Sequence, residues 1–203
     1  MNWLDIDYYE QNAREFFQAT YCVDLSSLYD DFLKFLPCNS NILDVGCGSG
    51  RDSKAFLGLG YRVLAIDASP AIAKLAEKYI QQPVEICRAQ DISYVQQFDG
   101  IWACASLLHV PRCDLSDTLQ RLLKALKPDG ILYVSFKYGS NEYERDGRHF
   151  TNMNEAELAR ILTNINGFRE IKTWITEDFR PDRLNENWLN ILLQAGEGEW
   201  KKA

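Results

Sequence analysis

The chain has 203 residues, 46% of them hydrophobic and 25% charged, so it can bury a core of its own and we expect one domain spanning residues 1–203. The net charge of −7 argues against a nucleic-acid partner, because contacts with phosphates require a basic patch. A small-molecule partner that is neutral or cationic fits this balance better.

The N-terminal segment, residues 1–38, is predicted to be a helical flank on an α/β core. Apolar and aromatic residues recur between 4 and 36 at roughly helical spacing, with charges between them. Residues 20–24 interrupt the pattern, so we expect two helices, and Pro37 ends the second. We expect this flank to pack on a sheet, and its aromatic residues could also cover a ligand.

Predicted strands and helices then alternate along the chain. Apolar runs bounded by turn residues predict strands at 41–45, 62–66, 84–88, 98–104 and 131–136. Helical periodicity predicts helices at 52–59, 70–81 and 115–126. Such alternation is typical of a parallel sheet with right-handed crossovers and with helices on both faces.

The last third of the chain continues this pattern less regularly. Pro128-Asp129-Gly130 is predicted to be a turn, 137–150 a polar loop and 195–203 a frayed tail. Between the loop and the tail we expect a helix and an antiparallel pair of strands, at 154–163, 170–176 and 187–194. The predicted fold class is therefore α/β: a Rossmann-like, open, seven-stranded and mostly parallel sheet with an N-terminal helical flank.

Cysteine and histidine usage predicts neither a metal site nor disulfides. The six cysteines include no C-x-x-C pair and there are two histidines, so we expect a reduced, cytoplasmic protein without a bound metal. The start, M-N-W-L-D-I-D-Y-Y-E, lacks the basic and apolar regions of a signal peptide. No stretch approaches the ~18 apolar residues of a membrane span.

The stretch N-I-L-D-V-G-C-G-S-G at 41–50 places three glycines after a strand that contains one acid, Asp44. Such a loop brings backbone N–H groups and a carboxylate close to a ligand. Two further predicted strands lead to acids, Asp67 and Asp91, at the edge where open α/β sheets bind ligands.

The spacing of these acids favours one kind of nucleotide ligand. Asp67 lies 19 residues after Gly48, where an acid at the end of the second strand can accept both hydroxyls of a ribose. The pattern D-x-G-x-G-x-G, with Asp52 after it, disfavours a pyrophosphate and suits a ligand that has a positive ammonium group and a ribose.

Residues 43–50, L-D-V-G-C-G-S-G, resemble the glycine-rich motif of class I S-adenosylmethionine-dependent methyltransferases. Further motifs similar to those of the family follow in order: V-L-A-I-D-A-S at 63–69, A-Q-D-I at 89–92, F-D-G-I-W-A-C-A-S-L-L-H-V at 98–110 and L-K-P-D-G-I-L-Y-V-S at 126–135. The resemblance covers about residues 40–136 and implies S-adenosyl-L-methionine as the cofactor.

The resemblance also implies which residues contact this cofactor. Asp67 would take the ribose hydroxyls, Asp91 would accept from the adenine amino group, and Ser106 would pass near the sulfonium. The full implied set is Asp44, Gly46, Cys47, Gly48, Ser49, Asp67, Ala68, Asp91, Ile92, Cys104, Ala105 and Ser106.

Two further residues are candidates for contact with the methyl acceptor. His109, after the fourth strand, could act as a base or could fix its loop by bonding backbone. Arg148, among aromatic residues in 137–150, could bind a carboxylate or phosphate on a flat acceptor, although nearby acids leave a solvated lid as the alternative. Trp188 is expected in the core of the last strand pair.

These patterns predict a methyltransferase that acts on a small molecule by direct displacement. Methylation of RNA or of a protein side chain is the alternative within the same class. A cofactor-binding partner subunit without chemistry is a second alternative. A nicotinamide-dependent oxidoreductase is a third, which the loop spacing and the acids disfavour. The oligomeric state does not follow from the sequence.

Overall fold

A computed structural model describes residues 3–180, 183 and 185–196, so most of the predicted tail lies outside the described residues. The helices are α1 (Trp3–Thr20), α2 (Ser26–Leu33), α3 (Arg51–Gly58), α4 (Pro70–Ile80), α5 (Arg112–Ala125) and α6 (Glu155–Leu162). The strands are β1 (Asn41–Val45), β2 (Arg62–Asp67), β3 (Val84–Ile86), β4 (Phe98–Ala103), β5 (Leu126–Lys137), β6 (Glu142–Arg145), β7 (Arg148–Thr151), β8 (Phe168–Glu177) and β9 (Asn187–Ala195).

The main sheet has seven strands in the order β3-β2-β1-β4-β5-β9-β8. The first five pair in parallel, while β9 runs antiparallel to both β5 and β8. The predicted fold class is thereby confirmed. The strand order reverses between β1 and β4, and the carboxyl ends of these two strands therefore flank the crevice in which such sheets bind ligands.

The N-terminal flank forms two helices separated at residues 21–25, as predicted. Phe32 of α2 is fully buried and packs against Phe56 of α3 and Trp102 of β4. Burying a ring of this size contributes about 1.5–3 kcal/mol, which fixes α2 on one face of the sheet. In contrast, α1 lies across the carboxyl edge, where Phe16 contacts the glycine loop at Gly48.

The prediction of a polar loop at 137–150 was wrong, because part of this segment forms a hairpin of β6 and β7. Its turn residues, Asp146 and Gly147, have φ values of 53° and 72°. Two consecutive left-handed residues match the twist of a two-residue hairpin turn, and Asp-Gly is a favoured pair there. These short strands contain many charged residues and therefore lack the alternation of apolar and polar residues by which strands are usually predicted.

Three element boundaries also differ from the prediction. Residues 128–130 lie within β5 as a bulge, because Phe98 pairs with Leu126 and Gly100 pairs with Ile131. β3 is shorter than predicted and is followed by a 3₁₀ turn, Ala89–Asp91. α5 begins earlier than predicted, directly after Pro111, whose extended backbone ends the preceding loop.

None of the described helices is both long enough and apolar enough to cross a lipid bilayer. The six cysteines are free thiols, and three of them, Cys22, Cys38 and Cys113, are exposed.

Candidate active site

The glycine loop has a backbone that side chains other than glycine tolerate poorly. Gly46 has a φ of 67°, and a Cβ added there would lie 2.6 Å from Cβ of Ser106. Gly48 has a φ of 55°, and a Cβ there would meet the Phe16 ring at 3.1 Å. Left-handed backbone strains any residue with a Cβ, so both positions favour glycine for two independent reasons.

Asp67 ties this loop to the end of β2. Its carboxylate accepts hydrogen bonds from the N–H groups of Gly48, at 3.0 Å, and Ser69, at 2.9 Å. Burial raises the pKa of Asp67, and these two backbone donors oppose the rise. On the outer side, Glu10 of α1 accepts from the Ser69 hydroxyl at 2.6 Å, so α1 covers this strand end.

Asp44 and Asp52 form a buried pair of acids beneath the loop. Ser53 donates to Asp44 at 2.6 Å, which links β1 to α3. Burial, followed by the charge of Asp52, raises the pKa of Asp44 to about 8. Burial would also raise the pKa of Asp52, but the charge and hydrogen bonds of Arg51, together with the hydrogen bonds from Tyr29 and Trp102, outweigh it and lower that pKa. Arg51 therefore neutralises Asp52, and the argument that this acid repels a pyrophosphate loses force.

A cavity of about 490 Å³ extends from the glycine loop to the β6–β7 hairpin. Of the predicted site residues, it is lined by Gly46, Cys47, Gly48, Ser49, Cys104, Ala105, His109 and Arg148. We call residues 46–49 the cofactor wall. The acceptor wall consists of the β6–β7 hairpin together with Tyr8, Tyr9, Lys137, Asp178, Arg180 and Trp188.

The remaining predicted residues lie outside the lining of this cavity: Asp44, Asp67, Ala68, Asp91, Ile92 and Ser106. Asp91 is exposed and accepts from Arg88 at 2.6 Å, a hydrogen bond that lowers its pKa. Its predicted contact with an adenine amino group stays a prediction. The same holds for Ile92, whose side chain is buried in the main core.

The loop after β4 carries an unsatisfied polar group next to the cofactor wall. Ala105 has a left-handed φ of 52° and donates its N–H to the Ser135 hydroxyl at 2.9 Å. The next hydroxyl, Oγ of Ser106, is buried and has no hydrogen-bond partner among the described residues. Buried hydroxyls are normally paired, so this unpaired group is unusual, although Ser106 itself does not line the cavity.

Both ring nitrogens of His109 are engaged. Its Nδ1 lies 2.7 Å from the carbonyl oxygen of His149, which can only accept, so Nδ1 carries the proton. Its Nε2 then accepts from the hydroxyl of Tyr9 at 2.9 Å. Burial lowers the pKa of His109 to about 3. Histidine is therefore neutral here and links α1 to the hairpin.

The hairpin of the acceptor wall is anchored to the sheet. Thr151 donates to the carbonyl oxygen of Val110 at 2.8 Å, and the rings of Tyr143 and Phe150 stack with their centroids 5.2 Å apart. Phe150 is buried in the main core. These contacts favour a fixed wall over the solvated lid that the sequence left open.

A second part of the acceptor wall consists of Asp178, Arg180 and Trp188, and the sequence did not reveal that these residues line a cavity. Trp188 donates its indole N–H to Asp178 at 2.9 Å, and Arg180 pairs with the same carboxylate. Trp188 packs against the main core, as predicted, but it also lines the cavity. The signal that could have revealed this part of the wall is Asn190, because it is a polar residue inside the apolar run of β9. In the structure Asn190 is buried and accepts a hydrogen bond from the hydroxyl of Tyr133 at 2.7 Å.

Residues 42–130 match a family model described as a methyltransferase domain. Over these residues the chain is similar to methyltransferase domains, and the motifs that resemble class I S-adenosylmethionine-dependent enzymes lie mostly within them. This confirms the family and the cofactor class that the motifs predicted. The matched residues include β1 to β4 and the whole cofactor wall, whereas the hairpin and β9 follow them.

A curated relative, the ubiquinone biosynthesis O-methyltransferase of Xanthomonas axonopodis pv. citri, is 33% identical over 106 residues. This match covers 49% of the chain and 44% of the relative, so the chain spans less than half the length of this relative.

Solved structures share the fold of the domain over most of the chain. The 1,6-didemethyltoxoflavin-N1-methyltransferase of Burkholderia thailandensis superposes with a TM-score of 0.77 at 22% identity, over 95% of this chain and 86% of that one. A methyltransferase of Methanosarcina mazei gives a TM-score of 0.72 at 21% identity, over 83% of this chain and 98% of that one. At such identities the likeness concerns the fold.

Proposed function

We propose that this chain transfers a methyl group from S-adenosyl-L-methionine to a small-molecule acceptor by direct displacement. The observation that carries the proposal is the cavity of about 490 Å³, which joins a cofactor wall of backbone groups to an acceptor wall of aromatic and basic side chains. A volume in this range suits a small ligand. The Burkholderia neighbour is described with a small acceptor bound, and the Xanthomonas relative is named for an O-methylation, which supports an acceptor of this size.

The residues of the cofactor wall fit the cofactor. Left-handed glycines leave no side chains that would block a close approach of a ligand to Gly46 and Gly48. Asp67 retains lone pairs for ribose hydroxyls beyond its two backbone donors. When bound, S-adenosyl-L-methionine supplies a methyl group that its sulfonium activates. The protein supplies alignment and excludes water.

We propose that His109 is a positioning residue and not a general base. A base that works near neutral pH needs a pKa in that range, whereas burial lowers the pKa of His109 to about 3. The lone pair on Nε2 also faces the hydroxyl of Tyr9, so an acceptor could reach it only through that hydroxyl. His109 therefore holds Tyr9 and the hairpin at the cavity.

Two measurements test the proposal. Calorimetry should detect binding of S-adenosylhomocysteine and none of NADH; the reverse result would reject the cofactor assignment. Transfer of labelled methyl from S-adenosyl-L-methionine should then appear in a pool of small metabolites. Label that appears only in RNA or protein would replace the acceptor class. Binding without any transfer would favour the partner-subunit alternative.

A further inference from the structure

We infer that the methyl acceptor carries an oxyanion, a carboxylate or a phosphate, beside a flat ring, and that Arg148 binds this group. The inference deepens the proposed function and rests on it, because it concerns the acceptor of that reaction. The observations that carry it are the position of this guanidinium over two aromatic rings, its low exposure and the lack of a hydrogen-bond partner for its Nε among the described residues.

The guanidinium of Arg148 is held by its faces. Its central carbon lies 3.9 Å from the ring centroid of Tyr8 and 5.2 Å from that of Phe150. A planar guanidinium that stacks on rings uses no N–H group for these contacts. All its donors therefore remain at its edge for a partner in the cavity that it lines.

These donors are poorly satisfied inside the protein. Nε of Arg148 is buried and has no hydrogen-bond partner among the described residues. The carboxylate of Asp146 lies 3.7 Å from Nη2, beyond hydrogen-bond distance, and it is 62% exposed. The Arg148 side chain itself is only 19% exposed. A mostly buried cation without a close acceptor is costly, so the site favours an anionic ligand.

Three other cations along the cavity have closer partners. Their ion pairs are Arg51 with Asp52 at 2.6 Å, Lys137 with Glu186 at 2.6 Å and Arg180 with Asp178 at 2.5 Å. Arg145 has a comparably long contact with Asp146, at 3.6 Å, but its side chain is 68% exposed and solvated. Arg148 thus combines burial with an open edge, whereas each of these four cations lacks one of the two features.

The surroundings of Arg148 favour a flat group next to the anion. Tyr8, Tyr143, Phe150 and Trp188 line the same cavity. Aromatic rings stack on planar ligands over large areas, while a guanidinium edge matches the two oxygens of a carboxylate or a phosphate. A ligand that has both features would use the rings and the charge together.

The test compares small probes by calorimetry with the protein saturated in S-adenosylhomocysteine. Benzoate and phenyl phosphate should bind at least tenfold more tightly than benzamide, which is flat but uncharged. Arg148→Gln should reduce this preference to less than twofold, and Arg148→Lys should retain part of it. If benzoate exceeds phenyl phosphate, the oxyanion is a carboxylate; the opposite order identifies a phosphate.

Arg121→Gln is the matched control, because Arg121 is a 44% exposed residue of α5 that pairs with Asp117. It should keep the full preference. A titration with S-adenosylhomocysteine checks each variant for folding and tests the proposed function separately. Intact cofactor binding with no preference for the anionic probes, or with an unchanged preference in Arg148→Gln, would overturn the inference alone. Loss of cofactor binding in the unaltered protein would instead reject the proposed function.

Discussion

The cofactor wall and the acceptor wall enclose one cavity but are built by different means. The cofactor wall is main chain from four consecutive residues, and its shape depends on left-handed glycines and on a carboxylate that accepts backbone N–H groups. The acceptor wall is made of side chains from α1, the end of β5, the hairpin, the segment after β8 and the strand β9. Substitutions should therefore act on the first wall through backbone strain and on the second through individual contacts.

The strongest way to break the cofactor wall is Gly46→Ala. The new Cβ would lie 2.6 Å from Cβ of Ser106 on a backbone with a φ of 67°. Left-handed strain and overpacking together should lower the free energy of unfolding by about 2–4 kcal/mol. Affinity for S-adenosylhomocysteine should fall more than tenfold. Chemical denaturation and calorimetry measure the two effects.

Gly58→Ala provides the control for this substitution. Gly58 ends α3, and a Cβ there would have no neighbour within 4 Å. Because alanine favours helix over glycine, this variant should change the free energy of unfolding by less than about 1 kcal/mol, in the stabilising direction. Equal effects of the two substitutions would show that the cofactor wall does not depend on backbone geometry.

Asp67→Ala tests a side chain that ties the cofactor wall to the end of β2. It removes the acceptor for the N–H groups of Gly48 and Ser69 and the predicted partner of the ribose. We expect the binding free energy of S-adenosylhomocysteine to weaken by about 1–3 kcal/mol. Asp117→Ala is the comparison, because Asp117 is exposed, pairs with Arg121 and lies outside the predicted site. Unchanged affinity in Asp67→Ala would reject the ribose assignment.

The sequence predicted the cofactor wall well because its requirements are local. Positive φ at Gly46, Gly48 and Gly50 needs glycine, and these residues are close together in the chain. What the sequence could not show was the pairing of Asp52 with Arg51, which changes the charge beside the loop. The surroundings of Asp52 also depend on Tyr29 of α2 and Trp102 of β4, which donate hydrogen bonds to it from other parts of the chain.

The acceptor wall could be predicted only in fragments. Arg148 was identified from the aromatic and basic composition of the segment 137–150. Its contact with the ring of Tyr8, however, joins residues 140 positions apart. The hairpin was missed although Asp146-Gly147 is a favoured turn pair. Likewise, Trp188 was correctly expected near the core, while its contact with Asp178 depends on how β8 and β9 pair. Such contacts follow from topology and leave no pattern of spacing.

The link between α1 and the hairpin should appear in the pH dependence of stability. His109 has a pKa of about 3 when folded and an ordinary value of 6.5 when exposed, so the unfolded chain binds the additional proton between these values. The contribution of neutral His109 to the free energy of unfolding is fully present above about pH 6.5 and is lost as the pH falls towards 3. Between pH 8 and pH 5 the free energy of unfolding should fall by about 1–2 kcal/mol because of this group, and the His109→Gln variant should not show this fall. Parallel pH profiles for the two proteins would contradict the neutral, buried histidine.

The smallest effect should come from a single contact in the acceptor wall. Trp188→Phe keeps an aromatic ring but removes the indole N–H that donates to Asp178 at 2.9 Å. Asp178 still pairs with Arg180, so the free energy of unfolding should fall by only about 1 kcal/mol. A double-mutant cycle with Asp178→Asn isolates this hydrogen bond, since the two residues are in direct contact. A coupling energy near zero would mean that Trp188 stabilises the protein through packing alone. Trp188 would then act only as the core residue that the sequence predicted.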